Sequence, residues 1–166
     1  MKPAWSLLVV VVIGALAGGL AWTGGAERST GEHTAPGGDY MMMTPDEMEW
    51  GPVASMGEGA EITLIEGELD QEEPFTFRLR LEDGYEILPH IHPEYERVTV
   101  ISGTLHFAHG ETFEPDVTRE LEPGSVAIMP PGEPMFGYAE GEVIMQLHGN
   151  GPWGIEYVDP ADDPRN

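Results

Sequence analysis

Residues 84–103, GYEILPHIHPEYERVTVISG, carry the fixed points Gly84, His90, His92, Glu96 and Gly103 at the spacing G-x5-H-x-H-x3-E-x6-G. His90 and His92 are two apart, so an extended strand points both imidazoles to one face. Pro93 and Glu94 break that strand, and Glu96 opens the apolar run Val98, Val100, Ile101 on the next. Two neighbouring strands then bring two imidazoles and a carboxylate to one point. Borderline nitrogen donors, a hard oxygen and coordination positions left over are what a first-row divalent metal takes.

This spacing resembles the first sequence motif of the cupins, small β-barrel proteins. The resemblance implies an all-β fold, the double-stranded β-helix or jelly-roll barrel, with His90, His92 and Glu96 holding a divalent transition metal (Fe, Mn, Zn or Ni). It also implies a small-molecule ligand and a homodimer. The second motif of that family has the form G-x5-P-x-G-x2-H-x3-N. In GSVAIMPPG, Gly124, Pro130 and Gly132 stand in register with it. The position that supplies the family's fourth metal ligand falls on Met135, and the Asn position on Ala139. A thioether is a soft, weak donor for these ions. The site is therefore expected to be weaker than a complete one and more open to water.

Other residues compete for the fourth position. Gln146 and His148 share one strand parity, opposite to Val143, Met145 and Leu147. If their side is the barrel interior, either one lies at the pocket; otherwise His148 is a strand-end histidine satisfied by backbone. Arg78 and Arg80 alternate with Phe75, Phe77, Leu79 and Leu81. On the pocket side one of them would hold a substrate carboxylate in bidentate fashion; on the other side both are surface residues. Parity leaves the choice of face open. Tyr95 and Tyr138 read either as substrate hydrogen-bond donors or as rim packing. His106 reads as a surface or interface residue and His109 as a turn.

From residue 60 the hydrophobic period is two. Strands are expected over 62–65, 75–81, 104–108, 125–129, 143–148 and 155–158, besides those of the first motif. Eight or more short strands between Gly/Pro turns, with almost no helical period, argue for a closed all-β barrel or sandwich. The domain is placed at 45–166. Thr44 and Pro45 read as an N-cap and first helical residue of a helix of one or two turns. Residues 111–122 read as a longer hairpin, and 159–166, DPADDPRN, as an exposed end.

Residues 1–26 read as an export segment: Lys2, a nearly continuous apolar run over 5–20, and small-x-small cleavage sites after Ala17 and Ala26. An uncleaved membrane anchor is the alternative, since a run of about 18 apolar residues approaches the length of a bilayer span. A buried core helix is the third reading. Either of the first two places the remainder outside the cytoplasm, periplasmic or extracellular, with membrane contact only through this segment. Residues 27–44 are polar and glycine-rich and read as a flexible linker. Met41–Met43 within it read as an edge packing on the barrel rather than as a soft-metal tract.

The chain of 166 residues has room for one core. It holds 30 acidic residues against seven Lys plus Arg, for a net charge of -23. Such a surface repels phosphate backbones, which excludes nucleic acid as a partner. The absence of cysteine removes disulfides, thiolate metal sites and thiol nucleophiles. Two function classes remain. One is a metal-dependent enzyme acting on a small organic molecule. The other is a non-catalytic ligand-binding or sensor module with a degenerate metal site.

Overall fold

The computed structural model describes residues 41–166, together with the backbone ladder of β1 (Thr34–Ala35) with β2 (Gly38–Asp39). The export or anchor segment, and the linker apart from this ladder and residues 41–44, lie outside the described residues. The chain divides into two units, Met1–Met42 and Met43–Asn166, and the second holds the barrel. Its strands are β3 (Gly51–Pro52), β4 (Ala60–Glu66), β5 (Pro74–Leu81), β6 (Glu86–Ile91), β7 (Glu96–His109), β8 (Arg119–Leu121), β9 (Val126–Met129), β10 (Met135–Asn150) and β11 (Glu156–Tyr157). Helix among the described residues is confined to three single 3-10 turns, Pro45–Glu47, Pro115–Val117 and Pro160–Asp162. The first begins where Thr44 and Pro45 indicate, with the Thr44 N–H donating to the Glu47 carboxylate at 2.7 Å, but it runs for one turn only.

All nine barrel strands belong to one antiparallel sheet that curls on itself. Its spine is the pairing of β7 with β10. Along Glu96–Thr99 the ribbon is flanked by β9 on one side and, across β10, by β5, β4 and β3. Along Leu105–Phe107 it is flanked by β8 and, across β10, by β6 and β11. The same two strands therefore serve both halves of the sheet. The register slips between Glu140 and Ile144, which lets the ribbon bend. The sequence reading ended one strand at Gly103 and began another at Thr104; in the structure β7 continues through.

Gly103 explains how. Its φ is +72°, and a Cβ there would run into the backbone carbonyl of Glu142 and the Val143 side chain on the partner strand. Gly84, in the turn before β6, has a similar φ of +79° but open space around it.

The inner face is apolar, as the period-two pattern requires. Phe75, Phe77, Leu79 and Leu81 of β5 are buried, as are Val98, Val100 and Leu105 of β7 and Val143, Met145 and Leu147 of β10. Burial of each such side chain stabilises the fold by about 1.5–3 kcal/mol. The alternate residues face outward: Arg80 is paired with Glu61 and lies over the Trp50 ring, and Arg78 donates to the Gln146 carbonyl at 3.2 Å. This settles the face left open by parity. Neither arginine enters the barrel.

Alanine at Gly84 and at Gly103 separates conformational strain from steric conflict. Gly84→Ala pays only the left-handed backbone cost, about 1–2 kcal/mol. Gly103→Ala pays that and the clash with the Glu142 carbonyl, so its urea midpoint should fall clearly further than that of Gly84→Ala.

Candidate metal centre and ligand cavity

The barrel encloses a cavity of about 250 Å³. Its wall is largely aliphatic and aromatic, including Phe77, Leu79, Val98, Phe107, Met145 and Leu147. The polar groups on it are few: His90, His92, Glu96, Ser55, Arg165 and the backbone at Gly154. His90 is the penultimate residue of β6, His92 directly follows that strand, and Glu96 is the first residue of β7. All three are buried, at 4–6% exposure, and the structure brings them to one cavity wall.

Local geometry aims them. Between Ile87 and His90, β6 spends three residues against two of β10, Met135 and Gly137, and this bulge turns both Ile87 and His90 inward. The turn after β9 holds the next residues in place, because the Gly132 N–H donates to the His92 carbonyl at 2.9 Å. The glycine and proline of the second motif thus brace the first.

Each imidazole is fixed through Nδ1. That of His90 lies 2.7 Å from the Leu88 carbonyl, and that of His92 lies 2.6 Å from the Gly154 carbonyl. A carbonyl only accepts, so both Nδ1 atoms carry the hydrogen and each neutral ring keeps its Nε2 lone pair. Burial depresses both rings, His90 to about 4 and His92, with His90 beside it, to about 3. The rings stand edge to face at 4.8 Å, and Trp153 stacks on His92 at 4.0 Å. Burial pushes the Glu96 carboxyl up to about 8. Its Oε1 is 3.6 Å from His92 Nε2, beyond hydrogen-bond range, and its Oε2 is buried without any partner. At neutral pH this is a contact between an uncharged ring and a protonated carboxyl, not an ion pair.

The donor types and the orphaned oxygen fit a divalent transition metal. Two Nε2 lone pairs accept no hydrogen bond, and Glu96 Oε2 is buried without a partner, which is costly for a polar atom that has nothing to bind. Among the described residues no three His, Asp or Glu side chains stand close enough to form a ready ion cage. The Glu96 carboxylate would have to swing towards the imidazoles to close on an ion.

The other sequence candidates lie elsewhere. His148 is exposed on the outer face, and Gln146 beside it accepts from Arg78; the inward residues of that strand are Met145 and Leu147. The shared parity holds, and the face it left open is the outer one. Met135 is wholly buried and pairs with His90 in the ladder, but it does not line the cavity. Tyr95 is exposed, and Tyr138 stacks flat on His106 at 4.2 Å. His106 is buried rather than superficial, with Nε2 2.7 Å from Glu140.

Sequence reasoning missed the segment after β10. Trp153, Gly154 and Ile155 line the cavity, and so does Arg165, from the stretch expected as an exposed end. Tyr157 anchors this segment by donating to the Ser55 carbonyl at 2.8 Å, and β11 pairs with β6 opposite His90. The tryptophan between glycines and prolines was the available signal.

No family model matches the sequence, and no curated protein matches it. Solved structures do resemble its fold. The polyketide cyclase RemF from Streptomyces resistomycificus superposes with a TM-score of 0.61 at 17% identity, over 76% of this chain and 90% of that one. An RmlC-like cupin from Shewanella frigidimarina gives 0.53 at 15% identity, over 66% and 89%. Salicylate 1,2-dioxygenase from Pseudoaminobacter salicylatoxidans, in complex with gentisate, gives 0.52 at 16%, over 63% of this chain and 30% of that longer one.

The opposed shifts set a pH profile for chelator-treated protein. The histidines are protonated on unfolding but not when folded, so stability rises with pH up to their ordinary value of 6.5. Glu96 is protonated when folded but ionised on unfolding above 4.5, so its contribution is lost as pH climbs towards 8. Two rising terms outweigh one falling term below 6.5, and only the falling one acts above it. Unfolding midpoints across pH should therefore peak near 6.5, and Glu96→Gln should flatten the alkaline limb and steepen the acid one.

Proposed function

We propose that this chain, which has the cupin fold, binds a divalent transition metal through His90, His92 and Glu96 and takes a small organic molecule into the apolar cavity beside it. The observation that carries this reading is the convergence of two Nε2 lone pairs with Glu96 Oε2, which is buried without a partner, on the polar side of an otherwise apolar wall. His90 and His92 present neutral nitrogens because their Nδ1 hydrogens are given to backbone carbonyls. Glu96 gives up its proton when it becomes a ligand. The aliphatic wall excludes water and seats the apolar body of the ligand, whose polar end faces the three donors. A bound ion supplies Lewis acidity and open coordination positions at that end.

Calorimetric titration with Mn(II), Fe(II), Ni(II) and Zn(II) tests the reading. His90→Ala with His92→Ala should weaken uptake by more than ~100-fold, beyond what loss of an outer partner costs. The variant should remain folded, because its stability comes from the apolar strand faces. Met135→His should tighten binding, since imidazole is the better donor. His148→Ala should change nothing. An affinity that ignores the double variant would sink the proposal.

The apolar run at 5–20 supports a location outside the cytoplasm. Residues 1–40 fused to a reporter that is active only after export should give signal; retention of an inactive reporter in the cytoplasm refutes export.

A further inference from the structure

Among the described residues Arg165 is the one Lys or Arg side chain on the cavity wall, where it stands at the rim with its side chain 45% exposed. In an apolar pocket such a residue is the obvious partner for a ligand carboxylate, which a guanidinium grips with two parallel N–H bonds. Here its Nε–Nη2 edge is already taken. Arg165 Nε donates to Asp163 Oδ1 at 2.7 Å, and its Nη2 donates to Asp163 Oδ2 at 2.7 Å and to the Ile155 carbonyl at 3.1 Å. Asp163 Oδ1 also accepts the Arg165 backbone N–H at 3.0 Å, which holds the carboxylate in place.

We propose that Asp163 is an internal carboxylate that fills the Arg165 fork, so that the cavity selects uncharged, largely apolar ligands with one polar end and rejects carboxylates. This rests on the ligand-cavity reading above. To take the Nε–Nη2 edge an incoming carboxylate must displace Asp163, and at the remaining Nη1 it would sit beside the Asp163 charge, in a molecule whose net charge of -23 already repels anions. A polyhydroxylated ligand fares no better. The polar groups of the wall are confined to a handful, so most of its hydroxyls would be buried without partners. What fits is an aromatic or aliphatic body against Phe77, Phe107 and Leu147, with a single carbonyl, amide or hydroxyl towards His90, His92 and Glu96.

Benzamide and benzoate are close in shape and differ in charge, and they make the test. Calorimetric titration of the full chain at pH 7 and fixed ionic strength should show tighter binding of benzamide than of benzoate. Asp163→Asn frees the fork and should strengthen benzoate binding by roughly three- to ten-fold, the range for a half-exposed charge pair with good geometry. Benzamide should bind as before. Adding Arg165→Gln to Asp163→Asn should remove the gain, which separates release of the fork from a general loosening of the segment. Wild-type preference for benzoate, or benzoate binding that Asp163→Asn leaves unchanged while benzamide binds, overturns this inference alone. Binding of neither probe to any variant overturns the cavity reading and this inference with it. Metal uptake is measured separately and does not enter either result.

Discussion

The pairing of β7 with β10 is the constraint on which the rest of the barrel depends. These are the two longest strands, 14 and 16 residues, and each half of their ribbon is flanked by a different set of strands. Long strands twist and coil, so a ribbon of this length joins two sheet halves only by bending. The bend falls where Gly103 passes the Glu142 carbonyl, a passage that no side chain permits. Glu96 stands at the start of this ribbon on one strand, and Met135, beside His90, at the start of the other. The position of the site follows from the ribbon before any side chain of the site is considered.

The polar wall works against the apolar core that surrounds it. Three titratable groups sit in a shell of Val, Leu, Phe and Trp, and burial drives each towards its uncharged form: the histidines down, the glutamic acid up. Backbone carbonyls of Leu88 and Gly154 compensate one nitrogen of each ring, and nothing compensates Glu96 Oε2. An apolar replacement would fold more easily at this place. The groups are tolerated because the strand faces of β5, β7 and β10 supply ample apolar burial around them. Buried, unpartnered polar atoms of this kind cluster where a protein binds something.

The sequence was informative wherever a short-range rule governs position. Period two in β5 named the buried residues Phe75 to Leu81, and the spacing of His90, His92 and Glu96 brought three side chains to one wall. The turn signals at Gly84 and Gly132 were equally local. What it could not give was sidedness. Gln146 and His148 share a parity, but which parity faces inward depends on how the whole sheet curls, a long-range property. The bulge in β6 that lets Ile87 and His90 both face the cavity also escapes a strict alternation. Residues 159–166 are largely exposed, as their acidic, proline-rich composition indicates, and only the return of Arg165 to the cavity wall escapes that local rule.

The hydrogen bond from His92 to the Gly154 carbonyl ties two processes together that are independent in most pockets. Gly154 belongs to the same segment as Trp153 and Arg165, which wall the cavity, so a displacement wide enough to admit a bulky guest withdraws the acceptor from the imidazole N–H. Nothing then distinguishes Nδ1 from Nε2, and the stack of Trp153 on the ring is lost in the same movement. Any displacement of the Trp153–Gly154 backbone would thus release the tautomer of His92 as well.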